Sequence, residues 1–142
     1  VLAVPLTLPV AGMKELIALA KARPKQLVYG SGGIGNITHL QMELLATMVG
    51  IELTHVPYKG SAPGMLALVG GEIQMLFASI PSALPQIKAE KIKPLAISTA
   101  KRSSALPNIP SLDEAGLKGY DTATWYGVFA PAGTPREARV QE

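Results

Sequence analysis

Four glycines fall within the twelve residues from Tyr29 to Leu40 (YGSGGIGNITHL), between an apolar run of strand character and an apolar run of helical period. A strand that feeds a helix through Gly30, Gly32, Gly33 and Gly35 is a unit of an α/β fold. It points the orphan N–H groups of the helix's first turn into one small space. Those donors and the positive end of the helix dipole favour an anion, either a carboxylate or a phosphate. A purely structural tight turn uses glycine as readily, because glycine alone takes strained turn conformations at little steric cost. Two narrower readings fail on spacing. G-G-I-G is not G-x-G-x-x-G followed by an acidic ribose partner, and the G-K-[ST] ending of a phosphate-binding P-loop is missing.

The rest of the chain alternates in the same way. Val1 to Val4, Leu27 to Tyr29, Leu53 to Val56, Ile73 to Phe77 and Lys93 to Ser98 read as strands. Met13, Leu16, Ile17 and Ala20 recur at helical spacing up to Pro24. Ile37, Leu40, Leu44, Leu45, Met48 and Val49 form one apolar helical face, with Asn36 as N-cap and Gly50 as stop. A third helix carries Met65, Leu66, Leu68 and Val69 and ends at Gly70-Gly71, and a fourth runs from about Ala83 to Ala89. A short helix is expected near Leu112 to Ala115, a strand over TWYGVFA from Thr124 to Ala130, and a last helix after Pro135. Strand and helix in strict alternation predict an α/β fold, an open, mostly parallel sheet with helices on both faces.

Such sheets gather ligands at the carboxyl ends of their strands. Three strand-to-helix loops, Ser31–Asn36, Pro57–Ser61 and Ala78–Ser82, are expected at that edge, each with small or hydroxyl residues. His39 lies one helical turn from the glycine loop, where it either touches a ligand or hydrogen-bonds locally and fixes the loop's shape. Lys59 either neutralises a bound carboxylate or is a solvated turn residue. His55, in a strand, and Trp125 with Tyr126 read as packing residues.

Several function classes drop out. The 13 basic and 10 acidic residues leave a net charge of +3, scattered rather than striped, and aromatics make up only 5% of the chain. Nucleic-acid surfaces need denser basic charge or stacking rings. No cysteine is present, which removes disulfides, thiolate metal sites and cysteine nucleophiles. No apolar run approaches the ~20 residues of a membrane span. No serine sits in a G-x-S-x-G elbow, and His, Asp and Glu lack metal-ligand spacing. Binding without chemistry is therefore expected, with no cofactor and no metal. A chain of 142 residues forms a real core. With only 16% charged residues, its surface is expected to be partly covered by another lobe or subunit. The start at Val1 and the polar end REARVQE read as cut edges of a longer chain.

Five segments in order, YGSGGIGNITHL, HVPYKGSAPGMLALVGGEIQMLF, PSALPQIKAEKIKPLAIS, AKRSSALPNIPSLDEAG and WYGVFAPAGTP, resemble the Bug family. These are the extracytoplasmic solute-binding receptors of bacterial tripartite tricarboxylate transporters. The resemblance implies a type II periplasmic-binding-protein lobe over residues 1–130, the second of two lobes and about half the family's usual length, with 131–142 starting the crossover back to the first. It implies a small organic carboxylate as ligand, membrane transporter subunits as partners and a periplasmic location. The ligand-binding set it marks, together with the loops above, is Ser31, Gly32, Gly33, Gly35, Asn36, His39, Tyr58, Lys59, Ala78 and Ser79. Three of these depart from the family's pattern. Gly32 replaces the second residue of a Ser-Ser pair, Asn36 a Thr or Ser, and Ala78 an Asp. The lost acid implies a plain dicarboxylate or aromatic acid in preference to an amino acid. The competing reading is the effector domain of a transcriptional regulator with the same lobe, and a weaker one is an enzyme of this fold. Isolated lobes are expected to self-associate through the apolar surface that the other lobe would cover.

Overall fold

The computed structural model describes residues 1–125 and 129–135. In chain order the elements are β1 (Leu2–Pro5), α1 (Met13–Ala22), β2 (Val28–Ser31), α2 (Ile37–Val49), β3 (Thr54–Pro57), α3 (Ser61–Gly70), β4 (Met75–Phe77), α4 (Ile80–Lys88) and β5 (Ile92–Ala96). The strands form one sheet in the order β3-β2-β4-β1-β5. Parallel ladders join β2 to β3, with Gly30 opposite Val56, and β2 to β4, with Gly30 opposite Leu76. β1 runs antiparallel to both neighbours, pairing Leu2 with Phe77 and Val4 with Lys93. The expected open α/β sheet is present, and among the described strands the reversed one is β1. A four-residue apolar run packs equally well in either direction, so nothing in its pattern announces the reversal.

Period-two alternation divides the strands between two cores. Leu2, Val4, Tyr29, Met75 and Phe77 meet Met13, Leu16 and Ala20 of α1 and Met42, Leu45 and Ala46 of α2 on one face. Val1, Ala3 and Leu76 meet Met65, Ala67 and Leu68 of α3 and Ala83 of α4 on the other. Helices α1 and α2 therefore cover one face, and α3 and α4 the opposite one.

Asn36 caps α2 as expected, its side chain accepting from Thr38 N, and Gly50 ends the helix in the left-handed region at φ 65°. The buried face of α2 differs from the expected one. Gln41, Met42, Leu45 and Ala46 are buried, whereas Ile37, Leu40, Leu44 and Met48 lie exposed along the outside. Two apolar stripes compete on this helix, and contacts from far along the chain settle the choice. The Tyr120 hydroxyl donates to Gln41 O at 2.7 Å, and Gln41 Nε2 donates to Thr122 Oγ1 at 3.0 Å.

The expected helix near Leu112 is instead a hydrogen-bonded turn, in which Ala115 N donates to Ser111 O and Leu117 N to Leu112 O. It still delivers Leu112, Leu117 and Tyr120 to the α1/α2 core. The centre of the TWYGVFA segment, Tyr126 to Val128, lies outside the described residues, as does the segment after Pro135.

Helix α3 ends on two glycines of different kinds. Gly71 is left-handed at φ 77°, while a Cβ on Gly70 would meet nothing nearer than Glu72 Oε1 at 4.0 Å. Gly70→Ala is expected to raise stability by about 0.5–1 kcal/mol in urea denaturation, because it lowers the entropy of the unfolded chain without a clash. Gly71→Ala is expected to lower it by about 1 kcal/mol.

Candidate functional site

Strands β2 and β4 are neighbours, yet β2 hands the chain to α2 on one face and β4 hands it to α4 on the other. Helices leaving in opposite directions open a crevice at the carboxyl edge of the sheet, the place where open α/β folds bind ligands. A cavity of about 290 Å³ occupies it. Gly32, Asn36, Ile37 and Thr38 line it from the glycine loop and α2, Ser61 from α3, and Leu76, Phe77 and Ser79 from β4 and its loop. Thr124 and Trp125 complete the wall. All three expected loops contribute. A second cavity of about 510 Å³ shares Ser79 and Thr124 and adds Gln41, Ala78, Ser98, Thr99, Ser103 and Ser104 among its lining residues. Among the described residues, no acidic, basic or histidine side chain lines either cavity.

The glycine loop is wired more tightly than its sequence indicates. β2 continues through Gly30 and Ser31, so the turn proper begins at Gly32. Ser31 is fully buried, and its Oγ accepts from Gly33 N at 3.1 Å and lies 2.6 Å from His55 Nε2. Gly32 N donates to Thr38 Oγ1 at 2.9 Å, and Thr38 Oγ1 donates to Asn36 Oδ1 at 3.1 Å. Asn36 N donates to Gly33 O, and Gly35 N to His39 Nδ1 at 3.2 Å. Gly33, at φ 131°, and Gly35, at φ 76°, take backbone conformations that other residues rarely adopt. Most loop amides are thus satisfied inside the loop and are not held open for a ligand. Among the cavity-lining residues, the uncharged donors without a partner among the described residues include Asn36 Nδ2, Ile37 N, the hydroxyls of Ser61 and Thr124, and the Trp125 indole.

The expected set of site residues therefore divides. Gly32, Asn36 and Ser79 line the crevice, Ala78 lines the larger cavity, and Ser79 also caps α4. Ser31, Gly33, Gly35 and His39 build the loop from behind. Tyr58 packs its ring against the α-carbons of Gly30 and Gly64, between the sheet and α3, and its hydroxyl pKa is raised by burial and by Glu72. Lys59 is exposed in the turn before α3 and lines neither cavity. The Asn36 side chain fills the space beside Gly32: a Cβ at position 32 would meet it at 3.3 Å.

His39 makes the local hydrogen bond. His55 packs, as expected, with its ring 4.7 Å from that of Tyr29 and 4.2 Å from that of His39. Burial, then the neighbouring His39, hold the His55 imidazole below its usual pKa, while Glu43 pulls the other way. Trp125 is not a packing residue: it is 75% exposed and forms a wall of the crevice. Sequence reading also missed Thr38 and Thr124, and it placed Ser61 at this edge without including it in the ligand-binding set. The hydroxyl at the second helical position, beside a glycine loop and an Asn cap, was the available signal for Thr38.

A family model described as "Tripartite tricarboxylate transporter family receptor" matches residues 1–141. A Pseudomonas sp. protein from the tcbD-tcbE intergenic region is 39% identical over 137 residues, covering 96% of this chain and 41% of the relative. Protein BugT of Bordetella pertussis is 33% identical over 122 residues, covering 86% and 37%. Among solved structures, an R. palustris protein with adipate superposes with a TM-score of 0.90 at 45% identity, covering 96% of this chain and 46% of that one. MatC from Rhodopseudomonas palustris with bound malate gives 0.86 at 29% identity, with the same coverage. The chain spans about two-fifths of the length of these curated relatives and just under half of the solved chains.

Proposed function

Because the chain belongs to the tripartite tricarboxylate transporter receptor family, we propose that it is one lobe of an extracytoplasmic, periplasmic receptor that captures a small organic dicarboxylate and presents it to membrane transporter subunits. The observation that carries the ligand class is the crevice at the N-terminus of α2. Its donors are neutral, the helix dipole supplies the positive potential, and no acidic side chain among the described residues lines it. An amino acid's ammonium group needs a negative partner once it leaves water, and Ala78 stands where this family usually has an aspartate. A dicarboxylate needs no such partner. Adipate and malate, the ligands of the two R. palustris structures, belong to this class.

The remainder of a longer protein supplies the second jaw, and closure of the two lobes buries the anion and shifts the population towards the transport-competent form. The family is one of receptors and not of enzymes, and none of the matches reported above is a transcriptional regulator.

Calorimetry on the full-length protein tests the reading. Adipate or malate is expected to bind at least tenfold more tightly than glutamate or aspartate, the cost of one desolvated, unpaired ammonium being about 1.4 kcal/mol or more. Amino-acid binding as tight as that of the plain diacids overturns it.

A further inference from the structure

Three rings stack behind the glycine loop, Tyr29 from β2, His55 from β3 and His39 from α2, with mutual interplanar angles of 13–15°. Both imidazoles reach the loop. His39 Nδ1 accepts the Gly35 N–H, and His55 Nε2 meets Ser31 Oγ, the atom that also receives the Gly33 N–H. The bond to Gly35 fixes the state of His39. Nδ1 must carry a lone pair, so the ring is neutral with its proton on Nε2. A protonated His39 would set an N–H donor against the Gly35 N–H donor, and the bond would be lost.

The surroundings disfavour a second charge. Among the described residues, the other titratable groups facing the pair are Tyr29, whose hydroxyl donates to Glu43, and Glu43 itself, one helical turn beyond His39. Two imidazolium rings with centroids 4.2 Å apart repel each other, and one carboxylate at the rim balances only one of them. We propose that the stacked His39–His55 pair is a positioning device that holds the glycine loop in its anion-receiving form while His39 is neutral and releases Gly35 when the pair takes up a proton. Its value to the receptor rests on the dicarboxylate reading above, but the device is measurable without any ligand.

The test is selective ¹⁵N-glycine and ¹³C-histidine NMR on the full-length protein between pH 8 and pH 5. The Gly35 amide is expected to shift and to lose its protection from exchange with the same midpoint as the His39 ring. An asparagine side-chain oxygen occupies roughly the place of Nδ1 and does not titrate, so His39→Asn is expected to keep the high-pH Gly35 signal throughout. His39→Phe keeps the stack without the acceptor, and is expected to show the released signal at every pH. A Gly35 amide indifferent to pH in the unsubstituted protein, or one whose midpoint differs from that of His39, overturns the proposal whether or not the variants fold.

Adipate, fully ionised at pH 7.5, gives a second readout. His39→Asn is expected to bind like the parent, and His39→Phe to bind about five- to tenfold more weakly, the loss of one loop hydrogen bond. Equal binding by both variants overturns the positioning role. A parent that titrates as expected but ignores adipate overturns the ligand class and leaves the device standing.

Discussion

Asn36→Asp is expected to weaken dicarboxylate binding by tenfold or more without lowering the melting temperature. Asn36 has two jobs that point in different directions. Its Oδ1 accepts from Thr38 N and Thr38 Oγ1, which caps α2 and anchors the chain of bonds that ends on Gly32 N. Aspartate offers the same oxygen, ranks with asparagine at helix N-caps and interacts more favourably with the helix dipole, by about 0.3–1 kcal/mol. The other half of the asparagine amide, Nδ2, is a donor with no partner among the described residues, on a side chain that lines the crevice. Aspartate puts a carboxylate oxygen there. Two like charges about 4 Å apart repel by ~1 kcal/mol in bulk water and ~4 kcal/mol where the effective dielectric is lower, as it is once a cleft closes. Stability should therefore hold or rise while affinity falls, a pairing that a simple loss of structure cannot produce. Calorimetry with adipate and a thermal melt on the same full-length sample decide it. Undiminished binding would remove Asn36 from the site.

The layout of the site was legible in the sequence, and its wiring was not. Alternation of short strands and helices, with Asn36 and Gly50 bracketing α2, is written in local patterns that obey backbone geometry. From them follows the prediction that three loops meet at one edge of the sheet. Local patterns say nothing of long-range partners. Gln41 faces inward because Tyr120 and Thr122, about 80 residues away, bond to it, and the apolar stripe of Ile37, Leu40, Leu44 and Met48 is left outside. Trp125 becomes a wall of the crevice for a related reason. Thr122 N donates to Ser98 O, which ties residues 122–125 to the segment just after β5. The glycines read as an open cradle because composition shows where the backbone is free to bend. Where its amides then point depends on Thr38, His39 and Ser31. The Gly32 and Asn36 departures looked independent in one dimension, yet a Cβ at position 32 would press on the Asn36 side chain.

Gly30→Val is expected to destabilise the fold by about 1–3 kcal/mol, the usual range for overpacking a filled core. Strand propensity alone predicts the opposite sign, since valine favours strands and glycine weakens them. Gly30 sits in the middle of β2, paired on both sides, and faces α3. A Cβ there would meet Ile73 Cδ1 at 2.5 Å and the Tyr58 ring at 3.1 Å, and Ile73 is itself almost wholly buried. A Cβ at Gly64 of α3 would come within 3.5 Å of the same ring. Two glycines, one from the strand and one from the helix, thus form the slot that holds Tyr58.

Displacing that ring reaches the site through the backbone. Tyr58 N donates to Ser31 O and Gly60 N to Gly32 O, so the turn before α3 and the glycine loop move together, carrying Ser61 with them. Urea denaturation should show the loss of stability, and adipate affinity should fall alongside it. Removing the ring in a Gly30→Val, Tyr58→Ala double variant should cost less than the sum of the two single changes, with a coupling of about 0.5–3 kcal/mol. Strict additivity would mean that the slot is not what glycine is needed for at position 30.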